Sequence, residues 1–295
     1  MADLTITRGE VELATETFGH SSDPALLLIM GAMASMLWWP EEFCRQLADQ
    51  GRFVIRYDNR DTGLSTTYPP GSTPYTLSDM AEDAVAVLDG HGIKAADIAG
   101  MSLGGFIAQR VALAHPDRVR TLTILSSSPL GIEDLPPFTE AYSAHAATGE
   151  TVDWTDRADV LDFMMRDVSM IASTTHPHDA GAARLFVERD MDRARSFASV
   201  TNHFMLENGD GDKRPAAADL RVPLLVIHGT ADPIFPIAHG EALANAVSGA
   251  KLQRIEGGGH ELHPNDWPQI TRAIATHAGP LDMKKPAAWT FTRPV

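Results

Sequence analysis

Short apolar runs alternate with helix-length amphipathic stretches along this chain, and that alternation constrains the fold more than any other feature. Residues 25–30 are apolar throughout, as in a strand buried on both faces. Residues 52–57, 97–101, 120–126, 224–228 and 251–255 are runs of the same strand length. Helix-length stretches at 40–50, 77–91 and 103–115 lie between them, and one at 265–278 closes the pattern. Pro40 suits a helix start, and Met80, Ala84, Val87 and Leu88 fall on one helical face. Strands joined by helical crossovers pair in parallel, so the pattern predicts an α/β fold. Residues 10–18 alternate in polarity and predict one early antiparallel strand.

Residues 131–215 break the rhythm. They hold no apolar strand run, but carry Met164, Met165, Met170, Met191, Met205 and seven aromatic residues of the Phe, Tyr and Trp types, with helical spacing in patches. We read this segment as a helical cap inserted into a core formed by residues 1–130 and 216–295. Met and Phe at helical spacing also suit a helical layer packing its own small core, and the two readings are compatible. Asn208-Gly-Asp-Gly-Asp212 reads as a turn leaving the cap. It lacks the spaced ligands and distal Glu of a calcium loop. The stretch after Gly279 is proline-rich and basic and reads as an extended surface end.

Composition removes several function classes. Lys and Arg number 24 against 39 Asp and Glu, a formal charge of −15. Phosphate neutralisation needs clustered basic residues, so a nucleic-acid partner is not expected, nor an anionic membrane surface. The single cysteine, Cys44, can form neither an internal disulfide nor a cysteine-based zinc site. The first residues lack the basic and apolar regions of a secretion signal, and no apolar run is long enough to cross a bilayer. The expectation is a cytoplasmic protein.

Gly100-Met-Ser-Leu-Gly104 is the sharpest chemical signal. It fits Gly-x-Ser-x-Gly and stands between a strand run and a helical stretch, where a nucleophilic serine must turn tightly. The alternative is a glycine-rich turn with a capping serine. A serine hydroxyl needs a base to take its proton, and the base needs an acid to set its tautomer. Among 12 histidines, His260 follows the last strand run in Glu256-Gly-Gly-Gly-His260, and His263 is its rival. His176 and His178 suggest a metal pair without a third ligand, and a polar loop suits them better. Asp232 follows the 224–228 run, where a carboxylate at a strand's C-terminal end belongs to a site; a turn aspartate before proline is the alternative. The oxyanion of an acyl-transfer intermediate needs two backbone N–H groups, and Leu103 and Ala32 are placed to supply them. Trp38 and Trp39 either wall the pocket or pack under that loop.

The Ser102 motif, Asp232 and His260, in that order and strand context, resemble the α/β-hydrolase superfamily of serine esterases. Asp58-Asn-Arg-Asp-Thr-Gly-Leu-Ser65 is similar to its Asp-x-Arg-x-x-Gly-x-Ser loop, here read as structural, with Asp58, Arg60 and Asp61 paired and Gly63 allowing the turn. Leu26-Leu-Leu-Ile-Met-Gly31, Trp39-Pro-Glu-Glu-Phe43 and Asp83-Ala-Val-Ala-Val-Leu-Asp-Gly90 resemble the aclacinomycin methylesterase branch. Many relatives carry His-Gly where this chain has Met30-Gly31. The resemblance implies an α/β-hydrolase fold with a mostly parallel eight-stranded sheet, flanking helices and a helical cap. It implies catalysis by Ser102, Asp232 and His260 on a hydrophobic small-molecule ester, with no cofactor and no metal. Ser102 argues against the dehalogenases and epoxide hydrolases, which place aspartate at the elbow. A lactonase, a C–C bond hydrolase, a haloperoxidase-like perhydrolase and a non-catalytic ligand receptor stay open.

Overall fold

The computed structural model describes residues 4–209 and 214–279. The expected surface end after Gly279, the first three residues and part of the 208–212 turn lie outside the described residues. Eight strands form one sheet: β1 (Leu4–Arg8), β2 (Val11–Phe18), β3 (Ala25–Ile29), β4 (Phe53–Tyr57), β5 (Ala96–Met101), β6 (Val119–Leu125), β7 (Leu224–Gly229) and β8 (Lys251–Ile255). Their spatial order is β1-β2-β4-β3-β5-β6-β7-β8. The β1–β2 and β2–β4 pairs are antiparallel and every other pair is parallel. Seven strands coincide with the sequence runs to within a residue or two. The eighth, β1, has no apolar run to announce it, because only Ile6 of its five residues is buried.

Helices cover both faces. Side chains alternate across a strand, so Leu27 and Ile29 face one layer and Leu26 and Leu28 the other. The first layer holds α2 (Leu77–Gly90), α3 (Leu103–Ala114) and α7 (Ala238–Ala246). The second holds α1 (Glu41–Asp49) and α8 (Trp267–His277), through Phe43, Leu47, Ile270 and Ile274. This two-sided burial is why residues 25–30 are uniformly apolar. Helix α2 is entered through a capping box in which Thr76 and Asp79 satisfy each other's backbone N–H groups.

Between β6 and β7 the chain forms α4 (Glu140–Ala147), α5 (Arg157–Met170), α6 (Ala180–Arg193) and a 3-10 segment, Phe197–Met205. Val160, Phe163, Met164 and Val168 of α5 pack on Val187 and Met191 of α6 in a cluster apart from the two sheet layers. Met164, Met191 and Phe163 therefore fill the segment's own core. Among the described residues no helix is long and apolar enough to cross a membrane.

Candidate active site

Ser102 sits between β5 and α3 with φ 54° and ψ −121°, a backbone conformation costly for a residue with a Cβ. Its N–H donates to the Leu125 carbonyl at 3.0 Å, and its carbonyl accepts from the Gly105 N–H and the Ser127 hydroxyl, both at 2.8 Å. These bonds hold the strained turn. The glycines on either side make it possible: a Cβ on Gly100 would lie 2.1 Å from the Gly104 carbonyl oxygen, and one on Gly104 would lie 2.1 Å from that of Ile29. The Ser102 side chain makes no cap hydrogen bond to α3. That sets aside the reading as a capping serine.

The loop after β3 lies directly against this serine. A Cβ added to Gly31 would stand 2.9 Å from the Ser102 Cβ. Ala32, next in the chain, is half-buried, as is Leu103 at the first position of α3. The following residues are tied to distant parts of the chain. Met33, at φ 62°, donates its N–H to His203 Nδ1 at 3.1 Å, while His203 Nε2–H donates to the Arg60 carbonyl at 2.7 Å. His203 is thereby a neutral ring with its lone pair on Nδ1, and burial lowers its pKa in keeping with that. Met36 N–H donates to Asp58 at 2.7 Å, Trp38 Nε1–H donates to Asp190 at 2.7 Å, and the Ser35 hydroxyl donates to the other Asp190 oxygen. Burial pushes Asp190 up to about 6 against the bonds from Ser35 and Trp38, with Asp58 adding to the rise.

Asp58, Arg60 and Asp61 do not pair with one another, which corrects the expectation for this loop, because folding brings each a partner from elsewhere in the chain. Asp58 meets Arg193 of α6 at 2.8 Å, Arg60 meets Asp83 at 2.6 Å, and Asp61 accepts the Tyr75 hydroxyl at 2.6 Å. Gly63 turns at φ 51°. Trp39 is fully buried beneath the loop, while Trp38 reaches α6 and meets Phe186 edge-on at 4.8 Å. His203 and Asp190 escape sequence reasoning, because they lie about 150 residues or more from the groups they hold.

Asp232 follows β7 and His260 follows β8. His260 Nδ1–H donates to Asp232 Oδ2 at 2.8 Å, and Asp232 Oδ1 accepts the Ile234 and Phe235 N–H groups, both at 2.9 Å. Burial alone would raise the Asp232 carboxyl, but the charge and hydrogen bond of His260, then His228 and the Phe235 N–H, hold it below its ordinary value. The fully buried His228 donates through Nε2 to the Phe235 carbonyl at 2.6 Å and braces this loop from beneath. The two loops are laced together by Ala231 N–H to the Gly258 carbonyl at 2.9 Å and Gly257 N–H to the Thr230 hydroxyl at 2.8 Å. His260 N–H donates to the carbonyl of Ile171, just past α5, at 2.8 Å.

The carboxylate distinguishes the rival histidines. His263 stacks on His176 with ring centroids 4.5 Å apart, and neither ring meets Asp232. His176, His263 and Asp266 form a cluster whose ring nitrogens bond to Asp266, Asn265 and the Pro177 carbonyl; His178 is exposed and apart from it. All five residues expected at the site lie at the C-terminal edge of the parallel strands. Phe235 spans part of that edge, 5.8 Å from the His260 ring and 6.0 Å from Phe106, one turn after Ser102.

A strained serine beside a backbone loop, with a carboxylate two strands along and the imidazole it holds three strands along, is an arrangement suited to acyl transfer. Comparison with known proteins agrees with it. Residues 24–266 match the family described as alpha/beta hydrolase fold. The chain is 32% identical over 293 residues to the rhodomycin D methylesterase DauP of a Streptomyces species, covering 94% of this chain and 98% of that one. It is 25% identical over 264 residues to 3-oxoadipate enol-lactonase 2 of Acinetobacter baylyi, covering 85% and 88%. An esterase structure from a Rhodococcus species superposes with a TM-score of 0.75 at 21% identity, over 94% of this chain and 98% of that one. The chain belongs to the α/β-hydrolase family.

Proposed function

We propose that this protein is a serine carboxylic ester hydrolase working through an acyl-enzyme, with Ser102 as nucleophile, His260 as base and Asp232 as the acid that orients it. The observation carrying this reading is the strained Ser102 turn on the same sheet edge as the 2.8 Å Asp232–His260 pair. Asp232 keeps the proton on Nδ1, which leaves Nε2 to accept one from the Ser102 hydroxyl. The oxygen attacks the ester carbonyl, and the Ala32 and Leu103 N–H groups receive the developing charge. Each such donor is worth about 3–4 kcal/mol of barrier in related chemistry. His260 then protonates the departing alcohol, and water repeats the sequence to release the acid.

Residues 131–215 act as a cap over a core of residues 1–130 and 216–295, and their separate packing cluster supports that division. The substrate is a hydrophobic small-molecule ester, a methyl ester by the analogy of the methylesterase relatives. A buried, unpaired Cys44 suits a reducing compartment such as the cytoplasm. Lactone opening by the same three residues is the second reading, favoured by the enol-lactonase relative. The test is Ser102→Ala against a panel of p-nitrophenyl esters and lactones. Loss of nearly all turnover is expected, and retention of most of it would overturn the mechanism.

A further inference from the structure

Helix α5 brings a second carboxylate towards the site. Ile171, which holds the His260 N–H through its carbonyl, donates its own N–H to the Asp167 carbonyl at 3.1 Å. Asp167 is thus one turn back, on the same helical face. Its Oδ1 accepts two bonds, from the Tyr142 hydroxyl and from His145 Nε2–H, each at 3.1 Å. Among the described residues no donor reaches Oδ2 and no Lys or Arg pairs with this carboxylate, yet the side chain keeps 20% of its surface open. A run of ring contacts arrives at the same place: Tyr142 meets Phe138 at 5.7 Å, Phe138 meets Phe235 at 6.1 Å, and Phe235 meets His260 at 5.8 Å.

We propose that Asp167, held by Tyr142 and His145, is a polar subsite of the cap that binds an ammonium group on the substrate; this rests on the ester-hydrolase reading above. One carboxylate oxygen is fixed by the protein, the other has no donor among the described residues, and a fifth of the side chain stays exposed, which suits a placed polar group for a ligand. An ammonium suits it better than a hydroxyl because it adds the attraction of opposite charges to the hydrogen bond that either group would donate to the carboxylate. Burial raises the Asp167 pKa, and the opposing influences are His145, Tyr142 and the charge of His260, which places the subsite within the electrostatic reach of the catalytic pair.

Three matched esters test this: methyl para-(aminomethyl)benzoate, methyl para-(hydroxymethyl)benzoate and methyl para-ethylbenzoate. Near neutral pH, kcat/KM for the ammonium ester should exceed that for the ethyl ester by about tenfold, with the hydroxymethyl ester between. In Asp167→Asn the ratio should fall to about twofold or less. Should that variant not fold, Tyr142→Phe, which removes one of the donors fixing the carboxylate, should weaken the preference about threefold. Turnover of all three esters without preference, or a preference that survives both substitutions, overturns the subsite. Calorimetric binding of the same esters to Ser102→Ala separates the two readings. Tighter binding of the ammonium ester with no turnover by the wild type would sustain the subsite and overturn the esterase; equal binding would overturn the subsite.

Discussion

Asp232 receives the Nδ1–H of His260 at 2.8 Å while two backbone N–H groups hold its other oxygen. The carboxylate therefore cannot rotate without breaking three hydrogen bonds, and the imidazole has one tautomer available. Asp232→Asn keeps the shape but can present an N–H to Nδ1, which moves the ring proton to Nε2. We expect kcat to fall by about 10³–10⁴ with little change in folding, read by steady-state kinetics and circular dichroism. A loss under tenfold would refute the orienting role.

His203 is expected to act on the oxyanion loop without touching substrate. Removing its ring in His203→Ala leaves the Met33 N–H without its acceptor, at about 1–3 kcal/mol of stability. Turnover should fall about tenfold or more while KM moves less. His203→Asn offers an oxygen near the Nδ1 position and should recover part of kcat. Equal kcat in the two variants would count against the hydrogen bond as the cause.

Asp190 gives a signed pH prediction. Its carboxyl is raised to about 6, above the unfolded value near 4, so the native state binds the extra proton between those limits. The ionised group thus costs stability at pH 7.5, and that cost shrinks progressively as the pH falls from about 6 towards 4. Asp190→Asn carries no such cost. The stability of this variant relative to the wild type should shift in the wild type's favour by about 1.4 kcal/mol between pH 7.5 and 5. Parallel denaturation curves at the two pH values would contradict the assignment.

Gly104→Ala probes the strained turn. The added methyl would stand 2.1 Å from the Ile29 carbonyl oxygen, which is backbone and cannot swing away. Destabilisation of about 3 kcal/mol or more is expected in urea unfolding, with activity lost as β3 and α3 separate. A stable, active variant would show that the turn has slack.

The candidate site was legible where its chemistry is local. Gly100 to Gly104, Asp232 and His260 each stand just after a strand-like run, and a parallel strand's C-terminal end is where such groups gather. Strand β1 was not legible, because an edge strand with one buried residue leaves no pattern. The expected pairing of Asp58, Arg60 and Asp61 with one another does not occur: their partners Arg193, Asp83 and Tyr75 come from elsewhere in the chain. His203, Asp190 and Asp167 gave no signal at all. A histidine or aspartate on a helix reads as a solvated face until folding brings a backbone N–H or another side chain against it.

Residue order alone determined the α/β architecture and named candidates for nucleophile, acid and base, because strand-length apolar runs, tight glycine turns and strand-end positions are written in neighbouring residues. Tertiary structure alone decided that His260 meets Asp232 and that His203 and Asp190 hold the loop beside Ser102. Those outcomes depend on contacts between segments far apart in the chain, whose distances no local pattern encodes.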